Sequence, residues 1–248
     1  MKDVRCDDLS YTNWELSDDE MGQTVQLFRE QRRQMGVEKA DEAWFCDPLD
    51  DWLACLSGGR DGTGRDGAGR DGTARTGRRR SGTAKPGGGG LSRESVAALA
   101  VGMREKLAFR DALIVSLVCP QADRDHLLEL GVRPHRPQSV RYLCGVLDDT
   151  FRDPGTKPEG DRATRGFSML TQILASVPEN YQAQPLAVLA YMLWWMGDAR
   201  AVADAVRALA YDERCTLAAI VLSAVEHGIC PAWLDPEHAG NSPEPVAS

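Results

Sequence analysis

Apolar residues return at intervals of three and four along most of this chain, and no run of strict alternation is long enough to predict strands. Ser17-Asp18-Asp19-Glu20 is a capping box, and Leu16 and Met21 stand where a hydrophobic staple belongs. Met21, Val25, Phe28 and Met35 then share one helical face, with Gly36 as the C-terminal stop. A second helix is predicted from Asp47-Pro48, with Pro48 in its first turn; it carries Leu49, Trp52, Leu53 and Leu56 and ends at Gly58.

The pattern resumes near residue 91. Ser92 caps a helix to about Leu107, and Asp111–Val118, apolar on nearly all sides, reads as buried. A short helix near Arg124–Leu130 ends at Gly131. Val140, Leu143, Cys144, Leu147 and Phe151 form one stripe, and Phe167, Leu170, Ile173 and Leu174 form the next. Arg152–Asp161 between them is a loop by composition. Pro185 opens a helix through Met196, Gly197-Asp198 is a turn with Asp198 as N-cap, and Ala199–Ala210 follows with Val202, Val206 and Leu209 inward. Thr216–His227 is the last helix, stopped by Gly228, with Ile229 packing back. Within Pro185–Met196, Leu186, Leu189, Leu193 and Met196 form one stripe and Val188, Tyr191 and Trp195 a second. That predicts a helix covered on two sides, with Trp195 buried and Trp194 the more exposed.

The interruption is compositional. The unit Gly-Arg-Asp-Gly-Thr/Ala begins at Gly59, Gly64 and Gly69 and decays into a glycine-rich run. Glycine at this density makes ordering costly, and little apolar surface offsets it, so the stretch predicts a disordered linker. It holds eight basic and three acidic residues between Gly58 and Lys85, a net of +5 in a chain of net charge −8, so the remainder carries −13. The expected organisation is a helical segment at 1–57, a Gly/Arg/Asp linker at 58–90, a helical domain at 91–235 and a disordered tail at 236–248. The fold class is mainly α: a bundle of antiparallel helix hairpins, with a tetratricopeptide-like hairpin near the C-terminus.

The stretch from Gln184 to Leu234, with its Leu/Ala-rich helix ending in Trp194-x-x-Gly197-Asp198, its Ala-rich partner helix and its final Gly228-x-x-Pro231-x-Trp233, is carried by packing motifs. It resembles the closing region of an uncharacterised actinobacterial family, domain of unknown function forty-one ninety-two. Members usually begin with an α/β portion that this chain lacks, so the resemblance is to the family's C-terminal helical half. It implies a fold and carries no known activity.

Candidate chemistry is sparse. No apolar run approaches the roughly 20 residues of a membrane helix. The polar, acidic opening is not a signal peptide, which predicts a cytoplasmic protein. The seven cysteines are odd in number and widely spaced, so they read as small buried apolar side chains rather than disulfides. Cys215, His227 and Cys230 are the nearest approach to a zinc set, one ligand short. Asp148, Asp149, Asp153 and Asp161 could form a magnesium patch, but adjacent carboxylates on a helix point about 100° apart, so the favoured reading is a solvated acidic helix end. Gly131–Pro137 places Arg133, His135 and Arg136 in a stiff loop that could hold a phosphate. No phosphate-loop, dinucleotide or metalloprotease motif is present, and no nucleophile sits on an exposed turn.

No cofactor is therefore expected. The leading expectation is a non-catalytic helical interaction or regulatory module with another protein as partner, through Trp194, Arg133 and Arg136. One alternative is the C-terminal half of an enzyme or ligand-binding protein. The other is a weak nucleic-acid binder through Arg78-Arg79-Arg80. The linker carries no aromatic residue to stack on bases and each repeat's Asp offsets its Arg, so nucleic acid is the disfavoured partner.

Overall fold

The computed structural model describes residues 13–58, 90–157 and 159–234. The Gly/Arg repeat, with Arg78–Arg80, and the tail after residue 234 lie outside the described residues. Ten α-helices and no strand occur among those described: α1 (Asp18–Met35), α2 (Val37–Leu56), α3 (Arg93–Glu105), α4 (Leu107–Val118), α5 (Arg124–Val132), α6 (Pro137–Arg152), α7 (Gly160–Ser176), α8 (Ala183–Trp195), α9 (Arg200–Tyr211) and α10 (Thr216–Glu226). The chain is mainly α, as its apolar periodicity predicts.

The capping box at Ser17 forms in full: its hydroxyl accepts from the Glu20 amide at 3.3 Å, and the Glu20 carboxylate accepts from the Ser17 amide at 2.9 Å. Leu16 and Met21 are both buried beside it. Gly36, at φ +81°, turns the chain between α1 and α2. There the expectation fails, because α2 starts at Val37 and not at Asp47. Pro48 lies in its interior and forfeits one ladder hydrogen bond. Burial of Ala40, Trp44 and Phe45 before it, and of Leu49 and Trp52 after it, holds the helix together across the proline. Tertiary packing overrides the local break.

The helices on either side of residues 59–89 share one core. Phe28 lies 4.8 Å from Trp44 by ring centroids, and Phe45 stacks on Phe109 at 4.3 Å. Trp52 Nε1 donates to Ser116 Oγ at 2.9 Å and Trp44 Nε1 to the Ala98 carbonyl at 3.1 Å. The chain before α1 is sewn to the end of α7 by the Leu16 amide on the Ser176 carbonyl at 3.0 Å. Asp41 is fully buried, where its carboxylate takes Arg32 at 2.6 Å and the Lys106 ammonium. Lys106 also donates to the Val132 carbonyl at 2.7 Å. Lys106 itself adopts extended backbone at ψ 98°, which ends α3 at Glu105, close to the predicted stop near Leu107, and separates it from α4.

Two further expectations are corrected. Gly131 is not the end of α5 but a buried point of close approach: a Cβ there would lie 2.7 Å from Phe45 Cε1. On α6, Val140 and Cys144 face solvent; the half-buried side is Tyr142, Leu143, Val146 and Leu147. Cys230 is exposed as well, and Cys46 and Cys119 are only half-buried, so among the six described cysteines the reading as buried side chains holds for Cys55 and Cys215 alone.

The glycines give a direct test of the packing. Gly131→Ala should lower stability by about 1–3 kcal/mol, because Phe45 is wedged against Phe109 and cannot retreat. Gly145→Ala, in the open middle of α6 with nothing within 4 Å, should raise it by about 0.5–1 kcal/mol. Chemical denaturation of both variants checks the pair.

The capping box gives a second test. Glu20 is held at about 2, far below its ordinary value of 4.5, first by the Ser17 amide and then by Arg93. A carboxylate depressed on folding contributes stability above its unfolded pKa and loses it as pH falls toward the folded one. The stability advantage of the wild type over Glu20→Gln should therefore be constant above pH 5 and vanish between about pH 4.5 and pH 2. Paired melts across that range measure it.

Candidate functional site

A cleft lies where α5 and α6 meet. Asp123 is the N-cap of α5, and its side chain accepts from the His126 amide at 2.9 Å. Its second oxygen is bonded to His126 Nδ1, which leaves Nε2 as the free ring nitrogen. The two contacts hold the Asp123 carboxyl below its ordinary value, the backbone bond more than the ring. The imidazole stacks on Tyr142 of α6, 4.7 Å between centroids and 17° from parallel. Burial pushes the Tyr142 phenol up to about 12, so it remains a neutral donor at physiological pH. These residues, with Asp125, Glu129, Gln138 and Ser139, line a cleft of about 500 Å³.

The loop Arg133–Arg136 joins α5 to α6 and lines a separate cleft with Val37, Glu38 and Lys106. Arg133 reaches Glu38 at 2.8 Å, Glu42 at 3.1 Å and Glu129 at 2.8 Å. Arg136 reaches Glu129 at 3.1 Å and Glu38 at 3.6 Å. Glu38 is in turn held below its ordinary value, chiefly by its hydrogen bond to Arg133. A phosphate at these guanidiniums would have to displace three carboxylates that already bind them. His135 beside them is exposed. The sequence pattern identifies the two arginines; their partners on α2, some ninety residues earlier, are set by tertiary packing.

Trp194 and Trp195 take the predicted ranks. Trp195 is 1% exposed, and Trp194 is half-buried. Phe151, Tyr191, Trp194 and Trp195 form one aromatic cluster, with Phe151 stacked on Trp194 at 6.2 Å and Tyr191 on Trp195 at 6.0 Å. Burial raises the Tyr191 phenol above its ordinary value. The Trp194 indole N–H donates to the Ile229 carbonyl at 2.9 Å, so this side chain ties the end of α8 to the segment after α10.

The predicted inward face of α9 holds for Leu209, which packs half-buried against the core, and fails for its two valines. Ala201, Ala205 and Ala208 are buried, while Val202 is 39% and Val206 52% exposed. A stripe of alanines lets α9 lie close against α8, whose own side chains are bulky; the valines are left one turn-face away. Ile220 on α10 is 60% exposed, and Ile229 is 50% exposed rather than packed back.

Metal-ligand side chains do not converge where the sequence suggested. Cys215 is buried, whereas His227 is exposed with Nδ1 2.8 Å from the Ser223 carbonyl oxygen and Cys230 is exposed. Among the described residues the grouping of such atoms is Cys46, Asp47 and Asp50, within 4.8 Å of one another, and it includes none of Cys215, His227, Cys230 or the aspartates 148, 149, 153 and 161. Arg124 already engages it, bonding Asp50 and lying 2.8 Å from Cys46 Sγ. Among the described residues, no helix is long and apolar enough to cross a membrane. Comparisons of the chain with protein families, with curated proteins and with solved structures give no match.

The aromatic cluster is tested by truncation. Trp195→Ala should destabilise by about 3–5 kcal/mol, as for a fully buried large aromatic. Trp194→Ala should cost clearly less, because part of its ring already meets water. Thermal melts that reverse this order would contradict the placement of α8.

Proposed function

We propose that this chain is a cytoplasmic, non-catalytic helical interaction module, and that its partner-facing surface is the terminal hairpin of α9 and α10. One observation carries the reading: the hairpin turns its alanines inward and leaves Val202, Val206, Ile220, Val225 and Ile229 between 39% and 60% exposed. Burying such side chains against a second apolar surface is favourable by about 25 cal/mol per Å². Contiguous exposed apolar patches mark interaction surfaces more often than lone exposed side chains do. Trp194 braces this hairpin through Ile229 and so belongs to its support. The resemblance to a helical family half without known activity agrees with the same reading. The six described cysteines are free thiols, as suits a reducing compartment.

The test is site-specific photocrosslinking in the cells that make the protein. A photoreactive residue at Ile220 should give discrete adducts, and one at Asp148 on the acidic side of α6 should not. Introducing Val202→Glu and Val206→Glu together should abolish the Ile220 adducts while leaving the melting temperature within a few degrees. Equal labelling from both positions would refute the assignment.

A further inference from the structure

The first turn of α6 presents hydrogen-bond donors with nothing to receive them. Pro137 occupies its first position and has no N–H. The helix has no side-chain cap, and its first backbone bond runs from the Val140 amide to the Arg136 carbonyl at 3.0 Å. The amides of Gln138 and Ser139 therefore lie in the unbonded turn. Ser139 is the independent sign that a ligand belongs here. It is 3% exposed, lines the cleft beside α5, and its hydroxyl has no hydrogen-bond partner among the described residues. A buried hydroxyl left unpaired is costly, and a ligand acceptor would remove that cost.

We infer that the α5–α6 cleft is a binding site for a small aromatic carboxylate, its anionic group received by the start of α6 and the Ser139 hydroxyl. The free donors call for an acceptor, and the positive end of a helix favours an anion. The size of the charge follows from the surroundings. Asp123 is engaged with His126, and Glu129 with Arg133, Arg136 and Gln138. Asp125 stands at the rim, 91% exposed and 3.5 Å from Arg124. Three carboxylates around the cleft oppose a phosphoryl dianion far more than a single negative charge. The cleft is large for a bare ion, and His126 and Tyr142, stacked on each other, are both in its lining and give it aromatic surface for an aromatic body.

Benzoate is the probe. Titrated into the full isotope-labelled chain, it should shift the Gln138 and Ser139 amide resonances saturably. Ser139→Ala should weaken binding at least tenfold. Asp125→Asn, which removes an exposed repulsive charge, should tighten it a few-fold, and this arm stands even if the Ser139 variant fails to fold. Benzamide, of the same shape without the charge, should bind clearly more weakly. Absence of saturable shifts at those two amides in tens of millimolar benzoate would overturn the site. Benzamide binding as tightly as benzoate, or phenyl phosphate binding more tightly, would overturn the carboxylate assignment.

Discussion

A single carboxylate gathers half of this fold. Asp41 sits fully buried on α2 and faces Arg32 from α1 and Lys106 from the break between α3 and α4. Lys106 then reaches the Val132 carbonyl at the end of α5. Four elements meet at one charge. Such a cluster adds little net stability over an apolar replacement, because desolvation offsets the attraction. Removing one member is different: it strands the others without compensation, at a cost of about 3–5 kcal/mol. The arrangement therefore acts mainly as a specification of register. It fixes where α3 must stop, and where the loop bearing Arg133 and Arg136 must leave α5.

The aromatic layer beneath it depends on that register. Phe28, Trp44, Phe45 and Phe109 come from α1, α2 and α4, and Phe45 lies against the missing side chain of Gly131. Because Gly131 has no Cβ, α5 settles close onto α2. That approach brings Glu38 and Glu42 within reach of Arg133 and sets the angle at which α6 departs. The cleft between α5 and α6 is thus a consequence of packing on its far side. Of the residues that line it, Tyr142 packs against that core.

Much of this was legible in the chain, and the errors share a cause. The caps at Ser17 and Ser92 depend on residues within three positions, so local chemistry suffices to fix those helix starts. The two stripes of α8 rightly indicate a helix covered on several sides. The failures arise where two local signals compete and a distant partner decides. Pro48 would open a helix, yet the aromatic burial on both sides of it carries α2 straight through. Ala201-Ala205-Ala208 and Val202-Val206-Leu209 are both apolar stripes on one helix, and periodicity cannot rank them. The decision belongs to α8, whose leucines and tryptophans leave room for small neighbours only. Of the site, Arg133 and Arg136 could be read from the pattern. Ser139 could not, since a serine in a helix's first turn is ordinary until its hydroxyl is seen to lack a partner.

The two open features of the molecule differ in kind. The exposed valines and isoleucines of α9 and α10 are unspent apolar area, and a partner there gains by excluding water without any precise geometry. The start of α6 is unspent hydrogen-bonding capacity, which is directional and cannot be satisfied by apolar contact. A helix start meant only to meet solvent needs no buried hydroxyl, because water reaches its amides freely. Ser139 is shielded from that water and still lacks a protein acceptor. The combination separates α6 from α1, α3 and α5, each of which closes its own first turn with a side chain. Six other helices also start without a side-chain cap, so what sets α6 apart is the buried, unpaired Ser139 hydroxyl in its open first turn.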